Sequence, residues 1–131
     1  IVEVKNVPEV QYVSQGGLSE VILDPNFIEN KKIYLSYSAK NSNNKSTLFL
    51  MSAELVGNEL KNNKVIFEAN APRRTAVHLG AKIAFKHDGT LLLASGDGFD
   101  HREKAQKLNN HFGKIRRINT DGSITIDKPF K

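Results

Sequence analysis

Two ionisable residues stand at the ends of neighbouring apolar runs, in the stretch AVHLGAKIAFKHDGTLLLASGDG. His78 precedes the first run, and Asp97 follows the second. If both runs are antiparallel strands, the start of one and the end of the next meet at one rim of a sheet, so the two side chains face each other. Histidine titrates near neutral pH, and a carboxylate that stabilises its protonated form suits it to act as a general base toward a hydroxyl group. A purely structural pairing between two turns is the alternative.

The other polar motifs carry weaker signals. Gln15 opens QGGLSEVILDPNF, and its amide can donate and accept in a binding site or simply fill a turn. His87 lies inside the turn KHDG and is predicted to be exposed, while His101 and His111 flank a polar insert and are predicted to face solvent. No spacing among the four histidines matches a metal set, and DGFD at 97–100 lacks the remaining ligands of a calcium loop. The sequence contains no nucleophile elbow, Walker loop or dinucleotide fingerprint.

Composition excludes several classes of site. The chain has 131 residues, within the range of one domain, and its lack of cysteine excludes disulfides and thiolate metal sites. The chain has 19 basic and 14 acidic residues, which gives a net charge of +5. The basic pairs are scattered, which predicts solvated surface charge and no nucleic-acid interface, with an anionic small molecule as the alternative. They are Lys31-Lys32, Arg73-Arg74 and Arg116-Arg117.

Two further features concern the extent of the chain. It begins at Ile1 and has its single methionine at Met51, which leaves open an excised piece of a longer chain or a small domain with its first residues removed. No apolar run approaches the roughly 20 residues that span a bilayer, so we expect no membrane span.

The elements that position these residues are predicted to be strands, because short apolar runs with period-2 alternation are separated by turn residues. One set of four is predicted at 21–23, 32–37, 47–55 and 64–68, connected by DPNFIENK, KNSNNKS and VGNELKNN. A second set is predicted at 82–85, 90–95, 114–118 and 123–126. The sequence thus predicts an all-β chain of two antiparallel four-stranded meanders, at about 14–70 and 78–131, with a short helical insert near 100–110. Two such units leave edges uncovered, which favours part of a β-propeller, with a two-sheet sandwich as the alternative.

Four stretches in order carry a resemblance to a known family: QGGLSEVILDPNFIENKKIYLSYS, HLGAKIAFKHDGTLLLASGDG, KAQKLNNHFGKIRRINTDGSI and DKPF. They resemble the glucose/sorbosone dehydrogenases, the soluble aldose sugar dehydrogenases that depend on pyrroloquinoline quinone (PQQ). The resemblance covers nearly the whole chain from about Val7 onward.

The resemblance implies a six-bladed β-propeller that holds PQQ, with calcium, at its mouth. It implies that His78 removes the proton from the anomeric hydroxyl of an aldose while a hydride passes to the quinone. Asp97 matches the aspartate that orients this histidine, Gln15 matches a glutamine of the substrate and cofactor site, and Lys82 occupies a place in that site often held by arginine. An aldose substrate, an electron acceptor and a periplasmic or secreted location follow from the resemblance alone.

Some positions depart from the family pattern. Val77 stands where some members carry an acid that contacts sugar, and Lys107 stands where aspartate is common. The chain also corresponds to only about two blades. Because the cationic residues for PQQ and the calcium ligands are expected in later blades, the isolated chain is predicted to be inactive. A propeller that binds ligands without catalysis is the main alternative, and a calcium-centred propeller hydrolase is a third.

Overall fold

The computed structural model describes residues 1–123 and 125, and its first sheet has four antiparallel strands. In chain order they are β1 (Leu18–Leu23), β2 (Lys32–Lys40), β3 (Ser46–Val56) and β4 (Glu59–Glu68). Consecutive strands are neighbours in the sheet, which makes it an up-and-down meander. Each of the first four predicted strands lies within an observed one, so these predictions are confirmed.

The second sheet contains β5 (Gly80–Phe85), β6 (Leu91–Ser95) and β7 (Lys114–Ile118), with β6 in the centre. All its pairings are antiparallel, and the all-β prediction is confirmed. Three strands of the second predicted set are present at the expected positions. The eighth predicted strand includes positions 124 and 126, which lie outside the described residues, and so does the stretch DKPF. The division of the chain at about 14–70 and 78–131 remains a prediction.

The main core lies between the two sheets. Leu91 and Leu93 of β6 are completely buried because they alternate toward the first sheet, where Leu48 and Leu50 of β3 are equally buried. Tyr34 of β2 adds an edge-to-face ring contact with Phe85. A buried polar contact also joins the sheets, since Ser36 Oγ donates to the carbonyl of Ala81 at 2.6 Å.

Two predicted connections contain regular structure that the sequence did not predict. VGNELKNN was predicted to be a loop, but only the turn at Gly57 and Asn58 separates β3 from β4. The polar residues that follow belong to β4, because their alternation leaves Leu60 buried. DPNFIENK contains a single-turn helix, α1 (Phe27–Asn30). Among the residues described, no helix has the length and apolar character needed to cross a membrane.

The helical insert is present but shorter and tighter than predicted: it is a 3₁₀ helix at Arg102–Gln106. The two histidines beside it are half-buried, so the prediction that they face solvent is wrong. His101 packs on Phe112, with 4.8 Å between ring centroids. The Nδ1 atom of His111 accepts a hydrogen bond of 2.8 Å from the backbone N–H of Asn70. His87 is exposed, as predicted.

Candidate active site

His78 and Asp97 meet at one rim of the second sheet. β5 begins two residues after His78, β6 ends two residues before Asp97, and Gly80 pairs with Ser95 in the register of the two strands. The Nδ1 atom of His78 lies 2.8 Å from Oδ1 of Asp97. The predicted meeting of the two side chains is therefore confirmed, while their chemical role remains a prediction.

The turns that carry this pair are tied together through their backbones. Gly96 N–H donates to the carbonyl of Leu79 at 2.8 Å, and Gly98 N–H donates to the carbonyl of His78 at 3.3 Å. His78 itself has a φ of 46°, a left-handed conformation that costs a non-glycine residue about 1–2 kcal/mol. The folded turns hold the histidine in this conformation, and such strain is concentrated at functional sites.

Asp97 is held as a carboxylate. Its pKa is lowered by a hydrogen bond from the backbone N–H of Phe99, at 3.0 Å to Oδ1, and then by the hydrogen bond to His78. With Asp97 ionised, Nδ1 of His78 is the donor of the shared hydrogen bond, and Nε2 is the ring nitrogen able to accept a proton. The His78 side chain is 42% exposed, so a ligand can approach the ring.

Gln15 reaches the same rim from the segment before β1. Its side-chain Oε1 atom accepts a hydrogen bond of 2.9 Å from the backbone N–H of His78. The backbone N–H of Gln15 donates to the carbonyl of Ala76 at 3.0 Å. The structure thus brings together three of the four residues singled out in the sequence. The side-chain oxygen of Gln15 faces the backbone of His78, which leaves its amide NH₂ as the group that can donate to a ligand.

Lys82, the fourth predicted site residue, forms an ion pair with Glu20 of β1. The side chain of Lys82 is 77% exposed, and the other carboxylate oxygen of Glu20 accepts a hydrogen bond from the backbone N–H of Ile83. These contacts fasten β5 to β1. The role of Lys82 in binding substrate or cofactor remains a prediction.

Three residues of the site were not found from the sequence. The ring of Phe99 contacts the ring of His78 edge-on, with 5.3 Å between centroids, and the guanidinium of Arg102 lies 5.0 Å from the Phe99 ring centroid. Arg73 lies beneath the turn that holds Asp97 and is only 2% exposed. The prediction that Arg73 is solvated surface charge is therefore wrong. Burial of a residue in a polar stretch such as NAPRRT depends on tertiary packing, which local composition does not show.

No metal cluster marks this rim among the residues that the structure describes. Within 1–123 and 125, no group of three or more histidine, aspartate or glutamate side chains could hold a metal ion. An open cleft of about 300 Å³ has Asn70, Lys104 and Lys107 among its lining residues, but neither His78 nor Asp97 lines it. We base the site on the His78–Asp97 geometry, because this cleft contains no paired acid and base.

Comparison with known proteins now identifies the family. The model of the family described as Glucose / Sorbosone dehydrogenase matches residues 1–131. The chain belongs to the glucose/sorbosone dehydrogenase family. The resemblance carried by the four sequence stretches is thereby confirmed.

Relatives within the glucose/sorbosone dehydrogenase family agree in sequence and in structure. The aldose sugar dehydrogenase YliI of Escherichia coli (strain K12) is 31% identical over 126 residues, which cover 95% of this chain and 34% of YliI. The crystal structure of the soluble aldose sugar dehydrogenase from Escherichia coli in the apo-form superposes with a TM-score of 0.92 at 30% identity, covering 99% of this chain and 38% of that one. The PQQ-bound form of aldose sugar dehydrogenase from Streptomyces coelicolor gives a TM-score of 0.77 at 25% identity, and the match covers 95% of this chain and 36% of that one. The chain therefore spans about a third of the length of the relatives it matches.

Proposed function

We propose that this chain supplies the general base of a PQQ-dependent aldose dehydrogenase, a six-bladed propeller that oxidises sugars to lactones. The observation that carries the proposal is the contact of 2.8 Å between His78 Nδ1 and Asp97 Oδ1 at an accessible rim. A structure of a Streptomyces coelicolor relative in its PQQ-bound form supports the choice of cofactor. Export to the periplasm or the cell exterior is part of the same proposal, as are an aldose substrate and a separate electron acceptor.

The residues at the rim fit part of what PQQ requires. PQQ is a flat, anionic quinone with three carboxylates, and Arg102 places a positive charge over the ring of Phe99, next to His78. The amide NH₂ of Gln15 is a further donor. Calcium does not fit the described residues, since they contain no cluster of ligands for it.

The bound quinone would supply the acceptor for a hydride from the anomeric carbon of the sugar. His78 accepts the proton of the anomeric hydroxyl at Nε2, so that the hydride and the proton leave together and a lactone remains. Asp97 keeps the proton on Nδ1 and stabilises the imidazolium that forms, as a carboxylate does in other histidine pairs. Gln15 fixes the backbone of His78, and Phe99 fixes the plane of its ring.

The proposal is tested on the longest natural polypeptide that contains this chain. PQQ is titrated by calorimetry with calcium present, and dye reduction driven by aldoses is then measured for the wild type and for His78→Ala. We expect the variant to bind PQQ and to lose about 10²–10⁴-fold in kcat. His87→Ala is the matched control, because His87 is exposed in a remote turn, and it should retain full activity.

Two outcomes would contradict parts of the proposal. If the wild-type polypeptide binds no PQQ, the pair of His78 and Asp97 is structural, and a propeller that only binds ligands takes its place. If the 131-residue chain alone turns over sugar with PQQ and calcium, the proposal that residues outside it are needed is wrong.

A further inference from the structure

Arg73 is a buried cation beneath the turn that carries Asp97. Its backbone forms an isolated antiparallel bridge with Ser46, with N···O distances of 2.9 and 3.0 Å, which fixes where the side chain starts. From there the side chain runs beneath the turn that follows β6, and the residue is 98% buried.

The guanidinium donates a hydrogen bond to one chain neighbour of Asp97 and lies close to the other. Nη2 lies 3.4 Å from the carbonyl oxygen of Gly96, and Nε lies 3.1 Å from the position that a Cβ on Gly98 would occupy. The guanidinium carbon also lies 5.2 Å from the ring centroid of Phe112. Arg73 thus lies against the turn on both sides of the residue that orients His78.

The hydrogen bonds of Arg73 are incomplete within the described part of the chain. Nε and Nη1 are buried there without a hydrogen-bond partner, and burying a cation without a paired anion costs free energy. Burial lowers the pKa of Arg73 to about 10, and the charge of Asp97 opposes this shift. Asp97 is thus a carboxylate whose charge acts on Arg73, although the two side chains share no direct hydrogen bond among the described contacts.

We propose that Arg73 is the positioning residue for Asp97: its hydrogen bond to Gly96 and its buried place beneath the turn hold the carboxylate toward Nδ1 of His78. An apolar side chain of similar size would fill the same space beside Phe112 without the cost of desolvating a charge. A cation at this place is therefore explained better by its effect on Asp97 than by packing alone. The consequence for catalysis rests on the proposed function, whereas the positioning itself does not.

The positioning is tested by NMR on the 131-residue chain, through the Nδ1–H proton of His78, which is assigned by its absence from His78→Gln. In Arg73→Met this proton should exchange with water at least about tenfold faster than in the wild type. Arg73→Lys, which keeps a charge on a flexible stem, should restore part of the protection. Arg117→Met is the matched control, because Arg117 pairs with Asp88 on the same sheet, and it should leave the proton unchanged.

A structural role alone gives a different result. If Arg73→Met unfolds more easily but keeps the wild-type exchange rate at Nδ1–H, the proposal is overturned. If Arg73→Met fails to fold, the test uses Asp97→Asn, which removes the carboxylate charge near Arg73. The urea midpoint of unfolding should then fall further in Asp97→Asn than in Asp88→Asn, whose lost carboxylate pairs with Arg117. An equal or smaller loss than in Asp88→Asn would overturn the proposal.

Steady-state kinetics on the longest polypeptide test whether the positioning of Asp97 affects catalysis. There Arg73→Met should lower kcat by about tenfold while the KM for the sugar stays within about twofold, since Arg73 does not touch the rim where substrate binds. Wild-type protein that binds no PQQ would refute the proposed function and leave the NMR result standing, so the two failures are distinguishable. A raised KM with unchanged kcat would contradict the positioning of Asp97.

Discussion

The backbone carbonyl of His78 occupies the space in which a side chain at residue 96 would begin: a Cβ built on Gly96 lies 1.9 Å from that oxygen. No real Cβ approaches an oxygen so closely, so the two turns can pack only with glycine at 96. This contact sets the separation of the two turns, and through it the distance between His78 and Asp97.

Gly96→Ala should therefore disrupt the site and the fold together. We expect the free energy of unfolding to fall by about 2–3 kcal/mol, because backbone must move on both sides of the contact. The Nδ1–H signal of His78 should also disappear. Urea denaturation and NMR of the same sample measure the two effects.

Gly89→Ala is the control for this substitution. Gly89 has a φ of 82°, but nothing lies within 4 Å of a Cβ built on it. It should cost only the strain of a left-handed residue, about 1–2 kcal/mol, and leave the His78 signal intact. Equal losses in the two variants would show that the contact between Gly96 and His78 does not limit the packing.

Asp97→Asn should slow the proposed dehydrogenase without abolishing the proposed binding of PQQ. The neutral amide can still accept from the N–H of Phe99, but it cannot stabilise a protonated His78. We expect kcat to fall by about 10²-fold and the affinity for PQQ to change little. Stopped-flow reduction and calorimetry on the longest polypeptide measure both, and a loss of affinity with normal kcat would assign Asp97 to cofactor binding.

His111 should make the folded chain sensitive to mild acid. Burial, with the charges of Arg116 and Lys114, lowers its pKa to about 4, whereas an unfolded histidine titrates near 6.5. Between these values the unfolded chain binds a proton that the folded chain does not, so the stability present above pH 6.5 is lost as the pH falls toward 4.

The measurement compares urea denaturation at pH 7 and pH 4.5 for the wild type and His111→Gln. We expect the wild type to lose about 2 kcal/mol more than the variant over this range, since glutamine can accept from Asn70 N–H without titrating. Taking the difference between the two proteins cancels the contribution of the carboxylates. His87→Gln should behave as the wild type, and a pH slope that survives in His111→Gln would assign the effect to another group.

Lys82→Met separates the two roles open to Lys82. Because its ammonium is paired with Glu20, we expect the variant to lose less than about 1 kcal/mol of stability and to change the KM for sugar by less than about twofold. Glu20→Gln should cost more, because Glu20 also accepts from the N–H of Ile83. A loss of about tenfold or more in affinity for PQQ or sugar in Lys82→Met would instead support the binding role predicted from the sequence.

The sequence predicted the strands and the contact between His78 and Asp97 well because both depend on local signals. Period-2 alternation marks β6, and a histidine before one strand with an aspartate after the next places both at one rim. The features that the sequence could not show depend on contacts between residues that are distant along the chain. Arg73 stands among polar residues and resembles surface charge, yet the turn at Gly96 and Gly98 covers it. The early part of β4 is polar enough to resemble a loop, and only the burial of Leu60 shows that it is a strand.

The hydrogen bond from the backbone N–H of His78 to Oε1 of Gln15 joins the rim of the second sheet to the segment that leads into the first. The amide proton of His78 exchanges with solvent when this hydrogen bond opens. Its exchange rate therefore measures how often the rim of the second sheet loses its contact with the segment before β1. It can be read without cofactor, sugar or any assumption about catalysis.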